Sequence, residues 1–260
     1  MKLNEDKCHF IINTNSNEHL WLKIGETRVW ESLEEKLLGV IIDKNLNFTA
    51  HVYNLCKKVG QKVSALARVS KLLPFHKKRL LFKTFIESQF SYCPLIWMFC
   101  SRKLNRRINH IHERALRLVY NDYTTEFNEL LRKDNSVSIH HRNIQYLAIE
   151  MFKVANNISP PFMKEIFGDL LVKSTRSGTT FPRHKVSKVY KGENSLRCLG
   201  PVIWNTLLPI KIKSCNSLDE FKQLIKSWVP YDCPCRLCKD FVPSLGFTSI
   251  ASWCLQFPPS

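Results

Sequence analysis

The stretch Lys36-Leu37-Leu38-Gly39-Val40-Ile41-Ile42-Asp43 runs into Leu46-Asn47-Phe48 and then into Val52, Leu55, Val59, Val63 and Leu66. Up to Asp43 the apolar residues are continuous, and a short run of that kind predicts a strand buried on both faces. Beyond Asp43 they recur every three or four positions with lysines between them. That is the period of a helix with one packed side and one wet side. The chain therefore changes from strand to helix near residue 43.

Upstream of the junction, Cys8 to Ile12 and Leu20 to Ile24 are two more short apolar runs. Asn13-Thr14-Asn15-Ser16-Asn17 and Gly25-Glu26 break them, and the first break is placed to close a hairpin. Downstream, helices are predicted over Arg79 to Phe90, with Leu81, Phe85 and Ile86 on one side, and over Lys103 to Val119. In the latter, Leu104, Ile108, Ile111, Ala115 and Leu118 mark one face. A further helix spans Ile139 to Ala155, and Pro160-Pro161 stops it. Residues 173–196 are basic and punctuated, which reads as a loop or linker with at most one edge strand. A short helix follows Gly200-Pro201. Ser217-Leu218-Asp219-Glu220 is a capping box opening the last helix, whose apolar side is Phe221, Leu224, Ile225 and Trp228. Trp21, Trp30, Trp97, Trp204 and Trp228 lie in apolar runs and are expected in the core. The prolines beyond Trp228 predict an irregular tail. The expectation is an α+β chain: a small N-terminal antiparallel sheet over 1–50, a basic helical region over 51–158, a second helical region over 159–229, and a Cys/Pro-rich tail over 230–260.

Of 260 residues, 44% are hydrophobic, which excludes a disordered chain, and the 8 glycines argue against a Gly-rich phosphate loop. The net charge of +17 is unevenly placed. Residues 1–50 carry 6 Lys/Arg against 8 Asp/Glu, whereas residues 51–120 carry 15 against 2, the acids being Glu87 and Glu113. Such a field repels itself, and a polyanion relieves the repulsion. Nucleic acid is the first choice of polyanion and an anionic membrane surface the second. No membrane span is predicted: the most apolar stretch, Cys93 to Cys100, is short and contains Pro94. The opening Met1 to Asp6 is polar and acidic, so an intracellular setting, nuclear or cytoplasmic, is expected. The 10 cysteines should then be reduced.

Several strings resemble one family. Leu3-Asn4-Glu5-Asp6-Lys7-Cys8 is similar to the motif that follows the catalytic aspartates in the palm of reverse transcriptases. Lys36 to Asp43 with Leu46-Asn47-Phe48 and His51 resembles the passage ending the palm in non-long-terminal-repeat retrotransposons. Ser88-Gln89-Phe90-Ser91-Tyr92-Cys93-Pro94-Leu95-Ile96-Trp97 and Asn109-His110-Ile111-His112-Glu113-Arg114-Ala115-Leu116-Arg117 are similar to the thumb of these polymerases. Ser195 to Asn205 resembles the region past it. The resemblance implies that residues 1–50 are residual palm strands and that the helices of 51–158 form a thumb. It also implies an RNA-directed DNA polymerase that, as a whole protein, uses Mg²⁺ and nucleotides and has RNA and DNA as partners. The family's Tyr/Phe-x-Asp-Asp box is absent from this sequence. The missing N-terminal polymerase half is therefore expected upstream of Met1, and this stretch needs no cofactor of its own for the palm chemistry.

By the same resemblance, Lys7 corresponds to the palm lysine near the incoming nucleotide. A thumb grips the primer–template duplex through phosphates, and Lys71, Lys77, Lys78, Arg79, Lys83, Arg102, Lys103, Arg106 and Arg107 suit that task. Catalytic residues are expected to be none. Cys233-Pro234-Cys235-Arg236-Leu237-Cys238 is a candidate zinc site with Asp232, Asp240 or Cys254 as fourth ligand; three free thiols are the alternative. Two other readings of the chain stay open: a non-catalytic helical module that binds nucleic acid or another partner, and a transposon remnant without function.

Overall fold

The computed structural model describes Asn4, residues 7–13, 20–167, 173–175, 178–182 and 195–230, and Cys233, Cys235 and Leu237. The chain divides into two compact units, Met1–Thr125 and Glu126–Ser260. The boundary falls inside the region 51–158.

The first unit opens with two antiparallel hairpins. β1 (Trp21–Ile24) pairs with β2 (Thr27–Trp30), and β3 (Glu34–Leu37) with β4 (Val40–Asp43). Lys44, just past β4, forms a 2.9 Å ion pair with Glu31, just past β2, and ties one hairpin to the other. That bond holds the Glu31 carboxyl below its ordinary pKa. The expected two-face-buried strand over Leu37–Ile42 is thus a hairpin instead. Its two-residue turn, Leu38-Gly39, has φ of 47° and 86°. Two positive values match the right-handed twist of the flanking strands. Leu37 and Leu38 are 60% and 83% exposed, so the continuous apolar run straddles a bend rather than crossing a core. Cys8 to Ile12 forms no named strand; Phe10 makes one isolated bridge to Glu31. Trp21 and Trp30 are exposed, not core, and the Arg28 guanidinium lies 4.7 Å from the Trp21 ring centre.

Asp43 shapes the turn from strand to helix. Its carboxylate accepts the backbone N–H groups of Asn45 and Asn47 at 3.1 Å each and of Phe48 at 2.6 Å. Leu46 and Phe48 are thereby held in the left-handed region, both at φ 54°. α1 (Thr49–Val69) buries Val52, Leu55, Val59, Val63 and Leu66, the predicted face. It packs on α4 (Arg102–Tyr120), which buries Leu104, Ile108, His112, Ala115 and Leu118. Between them run α2 (Phe75–Leu81), a π turn (Phe82–Ile86), a 3₁₀ turn (Glu87–Ser91) and the one-turn α3 (Pro94–Trp97). The buried line here is Phe82, Ile86 and Phe90, while the expected Phe85 is 57% exposed. The line passes from the π turn into the 3₁₀ turn, and the change of winding turns Phe85 outward.

In the second unit, α5 (Phe127–Asp134) precedes α6 (Ile139–Ala155), capped by Ser138, whose hydroxyl accepts the His141 N–H at 3.2 Å. α6 is buried on most of its surface. It packs against α8 (Leu196–Val202) and α10 (Leu218–Ser227), with α7 (Pro161–Phe167) and α9 (Ile210–Lys213) as shorter connecting helices. Phe152, Trp204 and Phe221 form a fully buried aromatic cluster, with Phe181 edge-on to Trp204. Asn205 exchanges two hydrogen bonds with the Phe181 backbone, at 3.0 and 2.6 Å. The predicted cap at Ser217 accepts the Glu220 N–H at 3.2 Å. In the stretch read as a linker with at most one edge strand, β5 (Lys173–Thr175) and β6 (Gly178–Thr180) pair as a hairpin, so two strands stand there.

Candidate nucleic-acid interface and candidate metal centre

In the first unit the hairpin β3–β4, helix α1 and the 3₁₀ turn meet around a cleft of about 390 Å³. Lys36, Asn54, Lys58, Ser88, Gln89 and Tyr92 supply its polar groups, and among the described residues no carboxylate lines it. Its walls are set by the motif residues quoted above. The Tyr92 hydroxyl donates to the Leu38 carbonyl, and Trp97 Nε1 donates to the Tyr92 carbonyl at 3.0 Å. The same tyrosine ring packs 3.5 Å from the place a Cβ would occupy on Gly39. His51 sits at the base, with Nδ1 accepting the Ile41 N–H at 3.3 Å. Burial, with Lys58 nearby, lowers the pKa of this imidazole, in keeping with a neutral ring that accepts at Nδ1.

A second basic feature lies on α4. Lys103, Arg106, Arg107, His110 and Arg114 are exposed and recur at helical spacing on the side away from the buried face. They span roughly 16 Å at 1.5 Å per residue. Glu113, the helix's one acid, is engaged at 2.6 Å by Arg117, so it does not neutralise the stripe. The Arg107 guanidinium also lies 5.0 Å from the Tyr53 ring centre on α1, a cation–π contact that fixes its direction.

The nine basic residues singled out from the sequence do not behave alike. Lys71, Lys77, Lys83, Lys103, Arg106 and Arg107 are exposed, and Arg79 and Arg102 are half-buried. Lys78 is turned inward: it is 9% exposed and its ammonium donates to the Leu118 carbonyl at 3.2 Å, so it is not available to a phosphate. Lys7 is exposed, and its backbone N–H donates to the Asn4 carbonyl at 3.2 Å. Sequence reasoning missed Lys36, Lys58 and Arg114. The first two flank the strand–helix motif, and Arg114 continues the Lys103–Arg107 spacing, so the signal was there in periodicity.

The second unit brings together three donors from distant parts of the chain. His140, in the first turn of α6, meets Cys233 and Cys235, and the three ligand atoms all lie within 4.8 Å of one another. His140 Nε2 is 3.1 Å from Cys235 Sγ, and all three residues are buried. The tail reaches α6 because Gln145 Nε2 donates to the Trp228 carbonyl at 2.7 Å. Beside it, burial and the neighbouring His140 push the His141 pKa down to about 4. Cys238, with Asp232, Asp240 and Cys254, lies outside the described residues. By contrast, Cys56 and Cys100 are core thiols of the first unit, pushed by burial to about 11 and about 12, and so inert. His112, part of another string noted in the sequence, is stacked on Phe82 with ring centres 5.8 Å apart. Among the described residues, no helix is long and apolar enough to cross a membrane. No family model, curated protein or solved structure matches this chain.

Proposed function

We propose that the first unit grips the sugar–phosphate backbone of nucleic acid, as the thumb of a reverse transcriptase grips its primer–template. The carrying observation is a cleft lined by Lys36 and Lys58, together with the basic stripe of α4, whose one acid is held by Arg117. The cleft offers two ammonium groups, amides and hydroxyls in a concave site. These are donors suited to phosphate oxygens, and they carry no base code. The resemblance of the flanking motifs to retrotransposon polymerases supports the same reading. On that reading the unit is the template–primer-binding portion of an RNA-directed DNA polymerase whose metal-binding carboxylates are not among the residues of this sequence. A helical module that binds nucleic acid without catalysis uses the same surface.

Fluorescence anisotropy with duplex and single-stranded oligonucleotides, titrated over a range of salt, tests the proposal. With about six phosphates neutralised, log K falls against log salt with a slope of roughly −5 on duplex and roughly −4 on single strands. Replacing Arg106 and Arg114 by Gln reduces the duplex slope by about two, and the sequence of the oligonucleotide matters little. Supplied with Mg²⁺ and nucleotides, the same chain binds but does not extend the primer. A slope near zero, or one unchanged in the double variant, removes the reading.

A further inference from the structure

We propose that His140, Cys233 and Cys235 are ligands of a zinc ion, and that the ion clasps the Cys233–Cys235 segment to the first turn of α6. Zinc–sulfur bonds of about 2.3 Å and zinc–nitrogen bonds of about 2.0 Å at tetrahedral angles set donor atoms roughly 3.5–3.8 Å apart. The observed group fits that sphere: the donors lie within 4.8 Å of one another, and the nearest pair is 3.1 Å apart. The imidazole is 5% exposed, and its Nε2 faces a buried thiol. Buried polar groups are normally satisfied, and a soft divalent cation satisfies an imidazole and thiols together.

Imidazole and thiolate are the donor types that zinc takes in protein sites. Binding deprotonates the thiols and releases their protons to solvent. Because the ion joins residues more than ninety positions apart, it closes a long loop, the case in which a cross-link removes most chain entropy.

The test uses the full chain purified under reducing conditions. Elemental analysis is expected to give one zinc per chain. Exchange into Co²⁺ is expected to give thiolate-to-metal charge transfer with the strong visible bands of a tetrahedral site. His140→Ala weakens metal binding by more than about a hundredfold, beyond the 10–100-fold that loss of a mere outer-shell partner brings. Cys235→Ser also weakens it, and Cys198→Ser, a half-buried cysteine on α8, leaves it unchanged. His140→Cys guards against a simple folding defect: it retains the ion and adds thiolate charge-transfer intensity. Absence of zinc and of cobalt charge transfer overturns the site, as does His140→Ala binding with full affinity. Cys235→Ser binding with full affinity overturns it as well.

Discussion

Single residues carry more of the junction than composition suggests. Asp43 does the work of a short loop by accepting three N–H groups, and its carboxylate helps hold two bulky residues in the left-handed conformation beside the main-chain bond from Leu46 to the Asp43 carbonyl. Leu38 is a different case. At φ 47° and 83% exposed, it occupies a turn position that favours Asn or Gly and gains no burial in return. A branched side chain there costs roughly 1–2 kcal/mol relative to a residue at ease in that region. Leu38→Asn is therefore expected to stabilise the chain by up to about 1 kcal/mol, read as a higher urea midpoint with unchanged slope. The Tyr92 bond to the residue 38 carbonyl is a main-chain contact and survives the change. A lower midpoint contradicts the turn assignment.

Helices were legible where their apolar period was close to 3.6 and obscure where another force set the winding. α1, α4 and α6 stood out because Val52 to Leu66, Leu104 to Leu118 and Ile144 to Val154 each mark one line of contact. The stretch Arg79 to Phe90 differs in detail: its buried line of Phe82, Ile86 and Phe90 runs through a π turn and then a 3₁₀ turn, windings that a period of 3.6 does not search for. The run Leu37–Ile42 misled because a hairpin turn made of Leu-Gly lacks the polar residue that usually announces one. The candidate metal centre was half legible. The cysteine cluster was visible, but its imidazole lies across the whole second unit in sequence, and only the packing of the tail on α6 brings the two together. Lys78 shows the reverse error, a base that charge counting assigned to a partner and that the fold uses itself. Its ammonium meets a carbonyl in the last turn of α4, where helix carbonyls lack an internal partner. Lys78→Met is expected to destabilise the chain by about 1–2 kcal/mol while leaving the salt slope of oligonucleotide binding as it was. A slope lowered by one, with stability unchanged, makes Lys78 a phosphate contact after all.

At the scale of the whole chain, the two units separate charge chemistry from metal chemistry. The cationic cleft and the α4 stripe belong wholly to Met1–Thr125, and the His/Cys group wholly to Glu126–Ser260. Each unit has its own core, one built on Trp97, Phe82 and Phe90 and the other on Phe152, Trp204 and Phe221. Loss of the ion removes a cross-link from the second unit and touches no group proposed to meet phosphate. Treatment with a zinc chelator under reducing conditions is accordingly expected to lower the thermal midpoint of the transition that exposes Trp204. Oligonucleotide affinity at fixed salt should change by less than about twofold. The converse holds for Arg106→Gln with Arg114→Gln, which weakens binding and leaves zinc content at one per chain. Since ligand binding stabilises only the folded form it engages, added oligonucleotide should raise the transition of the first unit, and added zinc that of the second. If chelation abolishes oligonucleotide binding as fully as it lowers the second transition, the two chemistries are coupled and the division by unit fails.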